Sequence, residues 1–162
     1  MSKFNACRHN GSISFGDDFD SVAEVTGLFG LAIKKIPFHN CFNIPGTPDT
    51  IGCLLSEEGG NGWHNVREFG TTIDSKGWNE VLTVSEYNDE LAETRNRINA
   101  ELEHPKTRYV FYRESRQGTR WYKFYGKFRI DEVATRATLS SERPSVIYRR
   151  ESNEIECQKI AA

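Results

Sequence analysis

The stretch TRYVFYRESRQGTRWYKFYGKFRI, residues 107–130, decides the fold. Thr107 to Glu114 carries Tyr109, Val110, Phe111 and Tyr112, residue types that fit a pleated, half-buried surface. Ser115-Arg116-Gln117-Gly118 is a turn, and Gly118 is free to take a positive φ. Arg120 to Ile130 is a second, longer strand, so the pair reads as an antiparallel hairpin. Along that strand Tyr122, Phe124, Gly126, Phe128 and Ile130 form one row, read as core-facing. Trp121, Lys123, Tyr125, Lys127 and Arg129 form the other row, which is both aromatic and cationic.

Upstream, the spacing predicts a helix over about 86–103, capped by Ser85, with Tyr87, Leu91, Ile98 and Leu102 in one stripe. Glu86, Asp89 and Glu90 suit its positive end, and His104-Pro105 stops it. Trp63–Phe69 and Thr71–Asp74 read as two short strands joined at Gly70, and Val81–Val84 as another. Ile36–Phe42 and Ile51–Leu55 are further strands, with a loop between them and an exposed turn at Ser56–Gly62. Nearer the N-terminus, Ser12–Phe15 alternates like a short strand. Asp20 or Ser21 caps a first helix carrying Val22, Val25, Leu28, Phe29 and Ala32. Downstream of the hairpin, Ala134–Pro144 is a polar connection, and Ser145–Arg150 and Glu154–Lys159 form a last strand pair. No repeat or linker interrupts the chain. The expected architecture is a single α+β domain over residues 1–162: a mainly antiparallel curved sheet or partly open β-barrel flanked by two helices.

Composition narrows the function. Aromatic residues make up 12% of the 162, which favours sheet. No apolar run reaches the roughly 18 residues of a membrane span, and the N-terminus lacks a signal-peptide core, so a soluble cytoplasmic protein is expected. The four cysteines, Cys7, Cys41, Cys53 and Cys157, lack CxxC spacing and read as free thiols. One sharper alternative is a zinc site built from Cys7, His9, His39 and Cys41, since each pair at i, i+2 shares a strand face. The preferred reading assigns no metal and no cofactor. Phosphate loops, HExxH and GxSxG are absent. Asp74, Lys76 and Glu80 have the residue types of a metal-dependent nuclease, but a solvated turn is the favoured reading of acids and a lysine so close in sequence, so no catalytic residue is assigned. A binding module is favoured over an enzyme.

Charge is segregated. Residues 106–150 hold 12 basic and 4 acidic side chains, while the whole chain has 21 and 23. This suggests an anionic partner for the basic half, DNA or RNA, because rings among cations can stack bases while the cations track phosphates. The alternatives are that the two halves pack together and neutralise each other, and that the aromatic strand is half-buried with Lys and Arg stems over its rings. Arg116, Arg120, Lys123, Lys127 and Arg129 are the expected phosphate contacts, with Trp121 and Tyr125 against bases or sugars. A second class is a pocket for a small planar ligand, walled by Trp63, Trp78 and Tyr87, with Asn65 and Asp74 reading its hydrogen-bonding edge. A third is a homodimer formed through the aromatic strand.

Residues 63–150 resemble the PUA-like superfamily, in particular SRA-type readers of modified bases. The resemblance runs through Trp63-x-Asn65, a Thr-Ile-Asp strand ending at Asp74, and Gly77. It continues through a helix with Asn96 and Ile98, Arg108 to Arg113, Gly118, and Trp121 to Phe128. One departure is the glycine-rich, Asp-ended loop of that family, replaced here by Gly77 and Trp78. The resemblance implies a curved β-barrel with flanking helices that binds nucleic acid, in some members by turning a base into an aromatic pocket.

Overall fold

The computed structural model describes residues 12–31, 41–74 and 76–156. The hairpin forms as expected: β8 (Thr107–Arg116) and β9 (Thr119–Ile130) pair antiparallel. They sit at the centre of a nine-stranded sheet. On one side of β8 lie β4 (Thr50–Leu55) and β3 (Cys41–Asn43). Beyond β9 come β10 (Val146–Ser152), β7 (Asn79–Asn88), β6 (Trp63–Ile73) and β5 (Glu58–Gly60). The two-residue β2 (Asp18–Phe19) pairs with β9 beside β10. A separate ribbon joins β1 (Ser12–Ser14) to β11 (Glu154–Glu156). All pairings are antiparallel except β4 on β8, and the sheet is open between its β3 and β5 ends. The fold is α+β with a mainly antiparallel sheet.

The described residues contain three helices: α1 (Val22–Gly27), α2 (Leu91–Glu103) and α3 (Glu132–Thr138). The extra helix replaces part of the expected polar connection. Asp131 caps it, accepting from the Ala134 N–H at 3.0 Å, and Thr135 is its buried residue. Helix α1 starts at Ser21 as expected, whose hydroxyl accepts from the Glu24 N–H, but it ends at Gly27, before Leu28 and Phe29. The larger correction concerns 79–90. Strand β7 runs to Asn88, so Ser85 is no cap and Tyr87 lies on a strand. Pairing on both edges, to β6 and β10, outweighs the helical spacing of four apolar residues. The two short strands expected at 63–74 are one continuous strand.

Two apolar clusters fill the two faces of the central hairpin. Phe111 and Phe124 pack with Phe19, Val25, Leu28 and Phe29 on one face. Val110, Tyr112, Tyr125 and Phe128 pack with Val84, Ile98 and Tyr148 on the other. The regular alternation expected along β9 therefore fails. Val110 pairs with Gly126 but Phe111 with Phe124, so Tyr125 is an extra, bulged residue and the rows exchange faces there. Gly126 makes the bulge possible. Its φ is +126°, and a Cβ there would lie 2.5 Å from the Ser152 carbonyl oxygen.

Candidate functional site

Helix α2 crosses the face of the sheet that holds Glu86 and Asn88 of β7. Ile98 and Thr94 are buried against the sheet, and Glu101 is nearly so. Beside this contact a cleft of about 820 Å³ opens between α2, the β5–β6 turn and the strands β4, β6, β7 and β8. Its size lies within the range of small-molecule and cofactor sites.

The floor is an ionic network. Arg108 is buried and its guanidinium donates to Glu86 at 3.2 Å and to Glu101. Glu86 also accepts from Arg97 at 2.9 Å. The Arg108 guanidinium lies 4.1 Å from the centre of the Tyr148 ring. Burial pushes the Arg108 pKa down, but the negative groups around it, the Glu86 carboxylate among them, outweigh it, and the group is held well above its ordinary value. The cation is therefore permanent.

One wall is aromatic. Trp63 opens β6, and the Arg97 guanidinium sits 4.4 Å over its ring, so Arg97 bridges Trp63 and Glu86. The rim is rich in carboxamides. Asn65 donates to the Ser56 carbonyl at 2.6 Å, and Asn88 donates to the Asn61 carbonyl at 3.1 Å while accepting from the Glu90 N–H. The Asn88–Asn61 bond holds the β5–β6 turn against β7, and the Asn65–Ser56 bond ties β6 to the connection between β4 and β5. Gly62, at φ +85°, is needed there because a Cβ would press to 3.0 Å from the Asn88 Oδ1. Asn61, Asn96, Glu90 and Glu93 complete the rim. On the far wall Cys41 faces the cleft and Cys53 lies beneath it.

Of the pocket residues expected from sequence, Trp63 and Asn65 line the cleft. Tyr87 points to the opposite face of β7, stacked on His64 at 4.9 Å with Arg143 4.3 Å over its ring. Asp74 and Trp78 belong to the β6–β7 turn, which folds over β9. There they meet a residue expected on the nucleic-acid surface: Lys123 Nζ is 3.9 Å from the Trp78 ring centre and 3.5 Å from Asp74 Oδ2. Burial lowers the Lys123 pKa, against the pull of Asp74. Burial alone would raise Asp74, but the N–H groups of Trp78 and Lys76 and the Lys123 charge hold it low.

The row of cations and rings expected as a surface is in part interior. Lys123 and Tyr125 are each only 2% exposed. Tyr125 stacks on Tyr112 at 5.1 Å, its hydroxyl donates to Glu114, and Arg67 donates to both at 2.8 and 3.0 Å. The bulge turns Tyr125 into the core, and the β6–β7 turn covers Lys123, so neither side chain faces solvent. Arg120 is exposed, Trp121, Lys127 and Arg129 are half-buried, and Lys127 pairs with Glu151 at 3.9 Å. The side chain of Arg116 lies outside the described residues. So do Cys7, His9 and His39 of the zinc alternative; Cys41, the fourth member, contacts Cys53. The nuclease-type trio disperses: Lys76 pairs with Asp18 and Glu80 with Arg150.

Sequence reasoning missed Glu86, Asn88, Arg97 and Arg108 as site residues. Placing 86–103 on one helix hid the signal, which is that Val84, Glu86 and Asn88 share a strand face.

No protein-family model and no curated protein matches the chain. Among solved structures, the fold is similar to that of the 5-hydroxymethylcytosine-specific restriction enzyme AbaSI, with a TM-score of 0.70 at 18% identity. The match covers 94% of this chain and 44% of that one, so this chain spans less than half the length of that enzyme. The likeness is one of fold, and it extends over nearly the whole of this chain, beyond the residues 63–150 on which the sequence resemblance rests. No helix among the described residues is long and apolar enough to cross a membrane.

Proposed function

We propose that this chain is a nucleic-acid-binding module that takes a single base into the cleft between α2 and β7. The observation that carries the reading is the chemistry of the cleft: one flat ring, Trp63, beside a rim of carboxamides, Asn61, Asn65, Asn88 and Asn96. An indole offers a stacking face worth about 1–3 kcal/mol per base, and carboxamides match the mixed donor and acceptor edge of a base. Likeness to an enzyme specific for 5-hydroxymethylcytosine supports a modified base as the ligand. Phosphate contacts in this reading come from Arg120, Lys127 and Arg129, with Trp121 against a base or sugar. Lys123 and Tyr125 have interior roles.

Titration of single-stranded, duplex, methylated and hydroxymethylated oligonucleotides at two salt concentrations tests it. Binding should weaken with salt, by about 0.9 in log–log slope for each duplex phosphate neutralised. Trp63→Ala should weaken it at least tenfold. Absence of binding at low salt overturns the reading.

One observation favours a second reading. Glu90 and Glu93 line the cleft, and its two cations, Arg97 and Arg108, are both paired to Glu86, an arrangement that suits a neutral planar ligand without phosphates. A free nucleoside or base would then raise the melting temperature by mass action, with affinity independent of salt.

A further inference from the structure

Cys41 on β3 and Cys53 on β4 are direct partners in the antiparallel register. Residues opposed in this way have Cα atoms about 4.5–5.5 Å apart, inside the 4.4–6.8 Å that a disulfide spans. The two sulfurs are 3.0 Å apart and both cysteines are free thiols. The pair is also asymmetric. Cys41 is partly exposed and lines the cleft, whereas Cys53 is wholly buried behind it. Arg108 Nη1 lies 3.8 Å from the Cys53 sulfur. We propose that Cys41 and Cys53 form a peroxide-sensitive dithiol in the cleft wall, which closes reversibly to an intramolecular disulfide between β3 and β4.

Each thiol has a distinct part. The hydrogen bond from Cys53 holds the Cys41 thiol below its ordinary range, and Arg108 helps against the burial that raises it. Burial keeps Cys53 protonated, well above that range, so it is the donor of the pair. Cys41 is accordingly the attacking sulfur, since the thiolate is the nucleophile. The Cys41 thiolate attacks one oxygen of a hydroperoxide, the O–O bond breaks, and the departing alkoxide or hydroxide takes a proton. Cys41 becomes a sulfenic acid. The Cys53 sulfur then attacks the Cys41 sulfur, the S–O bond breaks, and the hydroxyl leaves as water with the Cys53 proton. Two electrons pass from the two thiols to the peroxide. A dithiol reductant returns them by exchange through a mixed disulfide.

The wild-type protein and a Cys7→Ser/Cys157→Ser variant would be treated with stoichiometric hydrogen peroxide, alkylated, and digested without reduction. Free thiols in the variant should fall from two to zero per chain. A single cross-linked peptide pair containing Cys41 and Cys53 should appear in both proteins, and dithiothreitol should restore the thiols. In Cys53→Ser, oxidation should stop at a Cys41 sulfenic acid that dimedone captures. Persistence of both free thiols in the folded wild type, or capture of Cys41 only in links between chains, would overturn the proposal. The peptide map of the wild type decides the matter even where Cys53→Ser does not fold.

Discussion

Arg108→Met tests whether the cleft floor is held by charge. Arg108 is the only cation placed on Glu101 among the described contacts, while Glu86 keeps Arg97 at 2.9 Å when Arg108 is removed. The substitution therefore orphans one buried carboxylate, not two. Removing one partner of a buried pair costs about 3–5 kcal/mol, because the remaining charge is left without compensation. Methionine fills most of the stem's volume, so the cavity contribution is small. Against a total stability of about 5–15 kcal/mol for a domain, the loss is large but need not unfold the chain. Arg108→Met combined with Glu101→Leu removes the orphan and should regain most of the loss, since replacing both partners by apolar groups is often close to neutral. Urea unfolding of the three proteins at neutral pH, followed by far-ultraviolet circular dichroism and tryptophan fluorescence, measures both quantities. A single variant within about 1 kcal/mol of wild type, or a double variant no more stable than the single one, would refute the reasoning.

Gly126→Ala should cost at least about 2 kcal/mol, from the positive-φ strain together with the approach to the Ser152 carbonyl; a urea midpoint equal to wild type would show the bulge to be dispensable. Lys123→Glu should destabilise the fold by about 3–5 kcal/mol, because it sets a second carboxylate against Asp74, whereas Arg120→Glu should stay within about 0.5 kcal/mol in the same urea titration. Oligonucleotide binding should accordingly be probed with Arg120→Glu and Lys127→Glu, which leave the interior intact. Tyr112 is pushed up to about 12, and Tyr109, Tyr125 and Tyr148 are also raised, all chiefly by burial. Neutral phenols in the folded state contribute stability in full below pH of about 10 and lose it as pH rises through the folded values. Phenolate absorbance from these four rings should therefore appear only above that pH and together with loss of near-ultraviolet circular dichroism. Early ionisation of all six tyrosines, with the fold intact, would contradict their burial.

The hairpin was legible because its signals agree: β-prone residues on both sides of a Gly-containing turn, with pairing local in sequence. The helix ending at His104 was legible for the same reason. Its start was not, because Glu86 and Asn88 look like first-turn helix residues when only local spacing is read. What makes them strand residues is pairing to β6 and β10, and β10 lies some 60 residues away in sequence. The third helix was hidden by its short length and its polar composition, with Asp131 as the main local sign. The exchange of faces along β9 depends on Gly126, whose bulge is selected by the close approach of Ser152. Of the candidate pocket, Trp63 and Asn65 were found because a tryptophan in a polar stretch demands an explanation. Asp74, Trp78 and Lys123 were each noticed separately, but only the folded turn shows that they form one buried cluster.

The cleft and the ionic network have a common origin in the sequence of α2. The helix can press against the sheet only where it carries small or apolar side chains. Thr94 and Ile98 supply that contact, and Glu101 reaches it because Arg108 compensates its charge. On the neighbouring side, Glu93, Asn96, Arg97 and Ala100 follow the spacing of one helical face. Three of these four are polar and cannot be buried against Val84 and Tyr148 without partners. The helix therefore stands off the sheet along that face, and Arg97 spans the gap between Trp63 and Glu86. A fully apolar face would close the cleft and gain packing energy. The polar face keeps the cleft open, and its cost is offset by ion pairs and amide hydrogen bonds that fix the geometry of the walls. That exchange of stability for an open, polar, pre-formed cavity is what a binding site requires, and in the proposed reading it sets the base at α2 and β7 while the exposed cations of the basic strand hold the phosphates.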